Sequence, residues 1–189
     1  VPYYNKPCQE GLYRHFATLA DLGTPLVVYN VPGRTVISLS TETIARLAKL
    51  ETVVAIKEAS ANLAFDTEIM SMCGSSISFL SGDDFTTFPF VTMGGNGCIS
   101  VVSNIAPRLM HDLVECATTG NLERGRALHQ KVNQLAQLCF ATSNPVPAKI
   151  MLEQMGVFPR ADVRAPLVLP DEPLLTKIRD GLRSQAMAS

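Results

Sequence analysis

A lysine closes the apolar run Thr52-Val53-Val54-Ala55-Ile56-Lys57-Glu58-Ala59, and roughly one strand-and-helix unit earlier Leu26-Val27-Val28 runs into Tyr29-Asn30-Val31-Pro32. Desolvation penalises an ammonium and spares the free amine, so a lysine held in low dielectric can become the nucleophile of Schiff-base chemistry. A phenol beside it relays protons when it hydrogen-bonds to the reacting group. If the two strands are parallel neighbours, Tyr29 and Lys57 emerge at the same sheet edge, where α/β folds place their chemistry. The alternative is a strand-end lysine that merely reaches solvent beside a tyrosine that packs.

Other residues fall at neighbouring strand exits: Tyr3 and Tyr4 at the first, Arg34 just after the Tyr29 strand, Gly82-Asp83-Asp84 after the next, and Ser100 to Asn104 after the last. Arginine grips a carboxylate through two parallel hydrogen bonds, and glycine lets backbone approach a ligand closely. Together these parts describe a lysine condensing with the carbonyl of a small 2-oxo acid, phenols that move protons, and an arginine for a second carboxylate. Asp83-Asp84 lacks a histidine companion and reads as capping of the next helix rather than as a metal site. His15, His111 and His129 lie in helical stretches away from strand ends and read as structural or surface residues. Gly94-Gly95-Asn96-Gly97 precedes a strand instead of opening a helix, so it reads as a tight turn and not as a phosphate loop.

The elements that must position these side chains follow from periodicity. Apolar runs at Leu26 to Tyr29, Val53 to Lys57, Ile77 to Leu80 and Cys98 to Val102 read as buried strands. Helical spacing covers Gln9 to Leu22, Ala61 to Met72 and Phe85 to Met93, and a further helix has Ser40 as its N-cap and Ile44, Ala45, Leu47 and Ala48 as its inner stripe. Strands alternating with helices imply repeated βα units and a parallel sheet. Past Asn104 the strands stop, and Ala106 to Thr119, Leu122 to Ala141, Pro145 to Met155 and Asp171 to Met187 are helical by pattern. The expected organisation is an α/β part over residues 1–104 and a helical region over 105–189. Val1-Pro2-Tyr3 reads as the tail of another strand. That gives five strand ends, too few for a closed eight-stranded barrel of about 250 residues. The opening without methionine reads as a chain whose beginning is missing.

Composition bounds the function. The 189 residues are 47% hydrophobic with a formal charge of -1 and a pI near 6.3, and no basic block interleaves with aromatics, so no nucleic-acid footprint is present. Five cysteines without Cys-x-x-Cys spacing argue against a zinc site or a disulfide framework. No stretch of about twenty apolar residues and no signal-peptide pattern occurs, so no membrane association is expected and the cytoplasm is the expected compartment.

Pro2-Tyr3-Tyr4-Asn5-Lys6-Pro7, Tyr29-Asn30-Val31-Pro32-Gly33-Arg34-Thr35, Ala55-Ile56-Lys57-Glu58-Ala59, Ser81-Gly82-Asp83-Asp84 and Gly94-Gly95-Asn96-Gly97-Cys98-Ile99-Ser100-Val101 resemble, in order and spacing, the dihydrodipicolinate synthase family of the N-acetylneuraminate lyase superfamily. Asn144-Pro145-Val146-Pro147-Ala148-Lys149 also looks like that family's C-terminal helical region. The resemblance implies the C-terminal part of a (β/α)8 TIM barrel followed by a helical domain, in a homo-oligomer built from tight dimers. It implies that Lys57 forms an imine with pyruvate without any further cofactor or metal and that Tyr29 transfers protons. Tyr4 would reach across a dimer interface into a neighbouring subunit's relay. Arg34 would receive the carboxylate of aspartate semialdehyde, while Gly82 and the backbone carbonyl of Ile99 would line the pyruvate pocket. Sugar-acid aldolases of the superfamily share the lysine and tyrosine; Arg34-Thr35 favours the synthase. The family's Gly-Thr-Thr segment has no counterpart here, so the 189 residues alone are expected to turn over poorly. The rival of another class is a non-catalytic fragment or oligomer partner.

Overall fold

Residues 1–187 are described by the computed structural model, apart from the side chains of residues 186 and 187, and they form two units, Val1–Ile99 and Ser100 onward. The first unit opens with helix α1 (Gln9–Ala20), which buries Leu12 and Phe16 one turn apart. Strand β1 (Leu26–Asn30), the one-turn helix α2 (Pro32–Thr35) and helix α3 (Thr41–Leu47) follow. Then come β2 (Val53–Glu58), α4 (Leu63–Cys73), β3 (Ser78–Ser81), α5 (Thr87–Thr92) and the short β4 (Gly97–Cys98). Ser40 caps α3, its hydroxyl accepting from the Thr43 amide at 3.2 Å. Such a cap satisfies a backbone donor that the helix itself leaves unpaired.

The strands pair in the order β1-β2-β3-β4, all parallel. Parallel crossovers are right-handed, so a sheet whose strands follow chain order without reversal carries all its helices on one face. Burial agrees. Val28, Ile56 and Phe79 are no more than 3% exposed, whereas Val27, which alternates to the other face, is 48% exposed. Tyr29, Lys57 and Leu80, on the Val27 face, are half-buried. A doubly wound sheet would have covered both faces; this is the winding of a barrel wall.

Several expected boundaries shift for local reasons. Val1-Pro2-Tyr3 forms no strand, although the Val1 nitrogen donates to the Tyr29 carbonyl at 3.2 Å. Helix α4 starts at Leu63 because Ala61 takes a positive φ of 58°, outside the helical basin. Helix α5 starts at Thr87 because Asp83 closes a turn first, its carboxylate accepting from the Thr86 amide at 2.9 Å and hydroxyl at 2.7 Å. The expected fourth strand is cut to Gly97–Cys98. Just beyond it, Ser100 takes the Ser103 amide on its hydroxyl and the Ser103 hydroxyl on its carbonyl, both at 2.9 Å. Such local bonds compete with a ladder, and Val102–Asn104 becomes a 3-10 turn.

The second unit contains α6 (Pro107–Thr119), α7 (Leu122–Cys139), α8 (Val146–Gln154) and α9 (Glu172–Met187). Gly120 ends α6 in the left-handed conformation, φ 76°, which costs a glycine nothing sterically. The core is Leu113, Val132, Ala136, Cys139, Ile150, Met151 and Ile178, all 0% exposed. A Cβ on Gly181 would lie 2.5 Å from a terminal methyl of Leu138, so a side chain there would have to displace Leu138 where α9 packs on α7. Arg179 of α9 ties to Glu153 of α8 at 3.1 Å.

Candidate active site

Tyr29 and Lys57 are cross-strand partners in the β1-β2 ladder. Partners on parallel strands point the same way, and the Lys57 Nζ stands 4.1 Å from the centroid of the Tyr29 ring, within the range of a cation–π contact. The pair is half-buried.

Gly82, directly after β3, completes the group. A Cβ there would lie 2.8 Å from the Ala59 Cβ and 2.9 Å from the Lys57 Cε, so the lysine stem occupies the volume that a side chain would take. The Gly82 amide donates to the Glu58 carbonyl at 2.6 Å, which holds the β3 exit against the β2 exit. One strand further, the Ile99 amide donates to the Ser81 carbonyl at 2.8 Å and its side chain is 43% exposed. Arg34 is exposed in α2, just past β1. The following Val36 takes φ 67°, a left-handed conformation strained for a β-branched residue, while the buried Thr35 anchors the turn through hydroxyl bonds to the Val31 and Ile37 carbonyls at 3.1 and 2.8 Å. Tyr4, 89% exposed on a turn, faces solvent. The structure thus gathers Lys57, Tyr29 and Gly82, keeps Ile99 and Arg34 at adjoining strand exits, and leaves Tyr4 in solvent.

Behind the sheet lies a polar cluster to which the sequence reading gives no part. Asn30 and Glu58 are the next register pair after Tyr29 and Lys57, and the pleat turns them to the opposite face, where they are 0% and 2% exposed. Burial pushes the Glu58 carboxyl up, while hydrogen bonds from Asn30 and Ser60 pull it back. Asp66, 1% exposed, is pushed up to about 7 by burial first and then by the charges of Glu58 and Asp83. Burial, with Asp84 adding to it, pushes the Cys98 thiol up to about 11. Two polar residues in register at the ends of apolar strands were the available sequence signal.

Among the described residues, His111, Asp112 and Glu115 on α6 are the grouping whose atoms could reach a common ion. The Asp112 carboxylate already accepts from the Arg108 guanidinium at 2.9 Å and the Arg124 guanidinium at 3.0 Å.

A model of the dihydrodipicolinate synthetase family matches residues 1–185. The chain belongs to that family. It is 46% identical over 188 residues to a 4-hydroxy-tetrahydrodipicolinate synthase of Oleidesulfovibrio alaskensis, an alignment covering 98% of this chain and 64% of that relative. The dihydrodipicolinate synthase of Thermotoga maritima superposes with a TM-score of 0.94 at 40% identity, over 99% of this chain and 65% of the other. The chloride-inhibited dihydrodipicolinate synthase of Acinetobacter baumannii, complexed with pyruvate, gives 0.93 at 35% identity, over 98% and 64%. The four-stranded sheet is therefore part of a family TIM barrel, and the chain spans less than two thirds of the length of these relatives.

Proposed function

We propose that this chain carries the Schiff-base machinery of a 4-hydroxy-tetrahydrodipicolinate synthase, a lyase that joins pyruvate to aspartate semialdehyde on the route to lysine. The observation that supports it is the Lys57 amine held over the Tyr29 ring by strand pairing, in a chain of this family. The lysine amine attacks the keto carbon of pyruvate, water leaves, and the resulting iminium acidifies the neighbouring methyl group, so the enamine can attack the aldehyde carbon. The Tyr29 phenol serves the proton transfers of imine formation. Gly82 and the Ile99 carbonyl line the pyruvate pocket, and Arg34 binds the carboxylate of the aldehyde substrate through a charge-assisted pair. Tyr4 acts across an interface between copies of the chain in a homo-oligomer, where its exposure makes it available. The covalent imine needs no external cofactor and no metal, and the enzyme works in the cytoplasm.

The exposed Val27 face leaves Lys57 open to water, so the 189 residues alone are expected to turn over far more slowly than a version extended to the relatives' length. Comparable rates for the two would refute that expectation. The test of the reading itself is trapping: the extended protein, incubated with pyruvate and borohydride, should gain one reduced adduct that peptide mapping places on Lys57. An adduct on Lys49 or Lys149 instead would overturn it.

A further inference from the structure

We propose that Asn30 and Glu58 are positioning residues that clamp the strand ends bearing Tyr29 and Lys57 to each other and tie both to the segment bearing Arg34. The inference rests on the functional reading above and deepens it.

The pair's hydrogen bonds account for all four of its side-chain polar atoms. The Asn30 Nδ2 donates to the Glu58 Oε2 at 2.8 Å and to the Ser38 hydroxyl at 3.0 Å. The Asn30 Oδ1 accepts from the Leu39 amide at 3.0 Å, and the Glu58 Oε1 accepts from the Ser60 amide. Backbone bonds run alongside: the Ala59 amide donates to the Asn30 carbonyl at 3.0 Å, and the Gly82 amide to the Glu58 carbonyl. One side chain thus grips the far end of the loop that Arg34 begins, at Ser38 and Leu39, while its own backbone holds the near end. The other grips the turn after Lys57. Because Asn30 and Glu58 each follow a candidate catalytic residue by one position, a slip between β1 and β2 would break the clamp and separate the Tyr29–Lys57 pair together.

Stability alone does not account for this pair. A buried carboxylate is costly, and a well-packed apolar pair of similar volume is often as stable or more so. An apolar pair, however, fixes neither a register to one residue nor a loop to one backbone amide. Hydrogen-bonded partners do both.

The test is a swap. In the protein extended to the relatives' length, Asn30→Asp places two carboxyl groups against each other, and Glu58→Gln can set an amide donor against a donor. The double variant Asn30→Asp/Glu58→Gln restores the bond between the two side chains with its direction reversed. The amide introduced at position 58 then donates to the carboxylate introduced at position 30, while the Leu39 and Ser60 amides keep their acceptors. Imine formation with pyruvate, KM for the semialdehyde and the thermal midpoint are measured for all four proteins, each assayed well below its own midpoint. Each single variant should slow imine formation or raise the semialdehyde KM by about tenfold, and the swap should return both to within about threefold of the parent. Single variants that stay folded with both quantities unchanged would overturn the proposal. So would a swap that recovers the midpoint and not the kinetics, or one that fails to fold with the singles. A parent that gives no pyruvate adduct on Lys57 would instead sink the functional reading, before any variant is compared.

Discussion

The two units of this chain differ most in what they bury. Among the described residues, the buried polar and charged side chains are Asn30, Thr35, Thr41, Thr43, Glu58, Asp66, Ser81, Asp84 and Thr87, and all of them lie in the α/β unit. The helical unit buries Met110, Leu113, Val132, Leu135, Ile150, Met151 and their like. Polar burial is unfavourable and gains nothing over apolar packing unless geometry must be fixed. The α/β unit, where strand exits must hold a lysine, a phenol and a glycine in register, carries that cost; the helical unit rests chiefly on apolar packing, with partly exposed polar ties such as Arg179–Glu153 at its margins. At the ends of β1 and β2 those hydrogen bonds, made by Asn30 and Glu58, lie on the side of the sheet away from the candidate site.

The sharpest way to break the contrast is to damage each unit once. Lys57→Ala should abolish borohydride trapping of pyruvate while the protein still folds. Ile150→Ala, which empties a fully buried position in the helical unit, should cost about 2–5 kcal/mol of stability yet leave trapping at Lys57 intact below the melting transition. Loss of trapping in both would mean that the helical unit takes part in the chemistry. Arg34→Ala comes next. Removing a charge-assisted contact should weaken use of the semialdehyde roughly ten- to a hundredfold while the pyruvate imine still forms; equal damage to both steps would make Arg34 structural. Gly82→Ala should be milder, because the new methyl group displaces the lysine stem or Ala59 at a cost of about 1–3 kcal/mol. Slower imine formation with unchanged semialdehyde KM is the expected signature, read by single-turnover trapping.

The smallest effect is the pH dependence that Asp66 gives the α/β unit. Asp66 holds its proton more tightly folded, to about pH 7, than unfolded, near 3.9, so the native state binds more protons between those values. Stability from this group is complete below about pH 4 and is lost as pH rises towards 7. Glu58, also pushed up, adds to the same slope. Against the rising contribution of His129, whose imidazole is held below its ordinary value by burial, Asp66 should pull the thermal midpoint down across that window, and Asp66→Asn should flatten the decline. A midpoint whose decline is unaffected by Asp66→Asn would remove Asp66 from the account.

How much of this could be read from the residues varied with the range of the interaction. The three longer strands and most helices were legible because apolar periodicity is local, and the Tyr29–Lys57 pairing followed from two runs ending alike. Three features were not legible. The truncated fourth strand depends on Ser100 and Ser103 bonding to each other's backbone and hydroxyls, which leaves no mark on hydrophobicity. The late start of α4 depends on the positive φ of Ala61, which apolar periodicity does not register. Asn30 and Glu58 stood in view inside the quoted motifs, but their contact joins positions 28 residues apart and needs the register before it means anything. Gly82 was legible as a glycine at a strand exit that lets backbone approach closely; what it approaches is the lysine stem, which only the structure supplies.

Strand order itself has a temporal consequence. Because β1 through β4 pair with their sequence neighbours, each seam of this sheet can close once the next strand and the helix before it have left the ribosome. Each pairing still closes a loop that contains a whole helix, so a parallel sheet forms slowly, and chains fold from the N-terminal side as they are made. Of the three seams in this sheet, the one between β1 and β2 is the first that can close. Pulse-labelling of backbone amides during refolding should accordingly protect the Tyr29 and Lys57 neighbourhood ahead of β3, and the reverse order would show that assembly starts elsewhere.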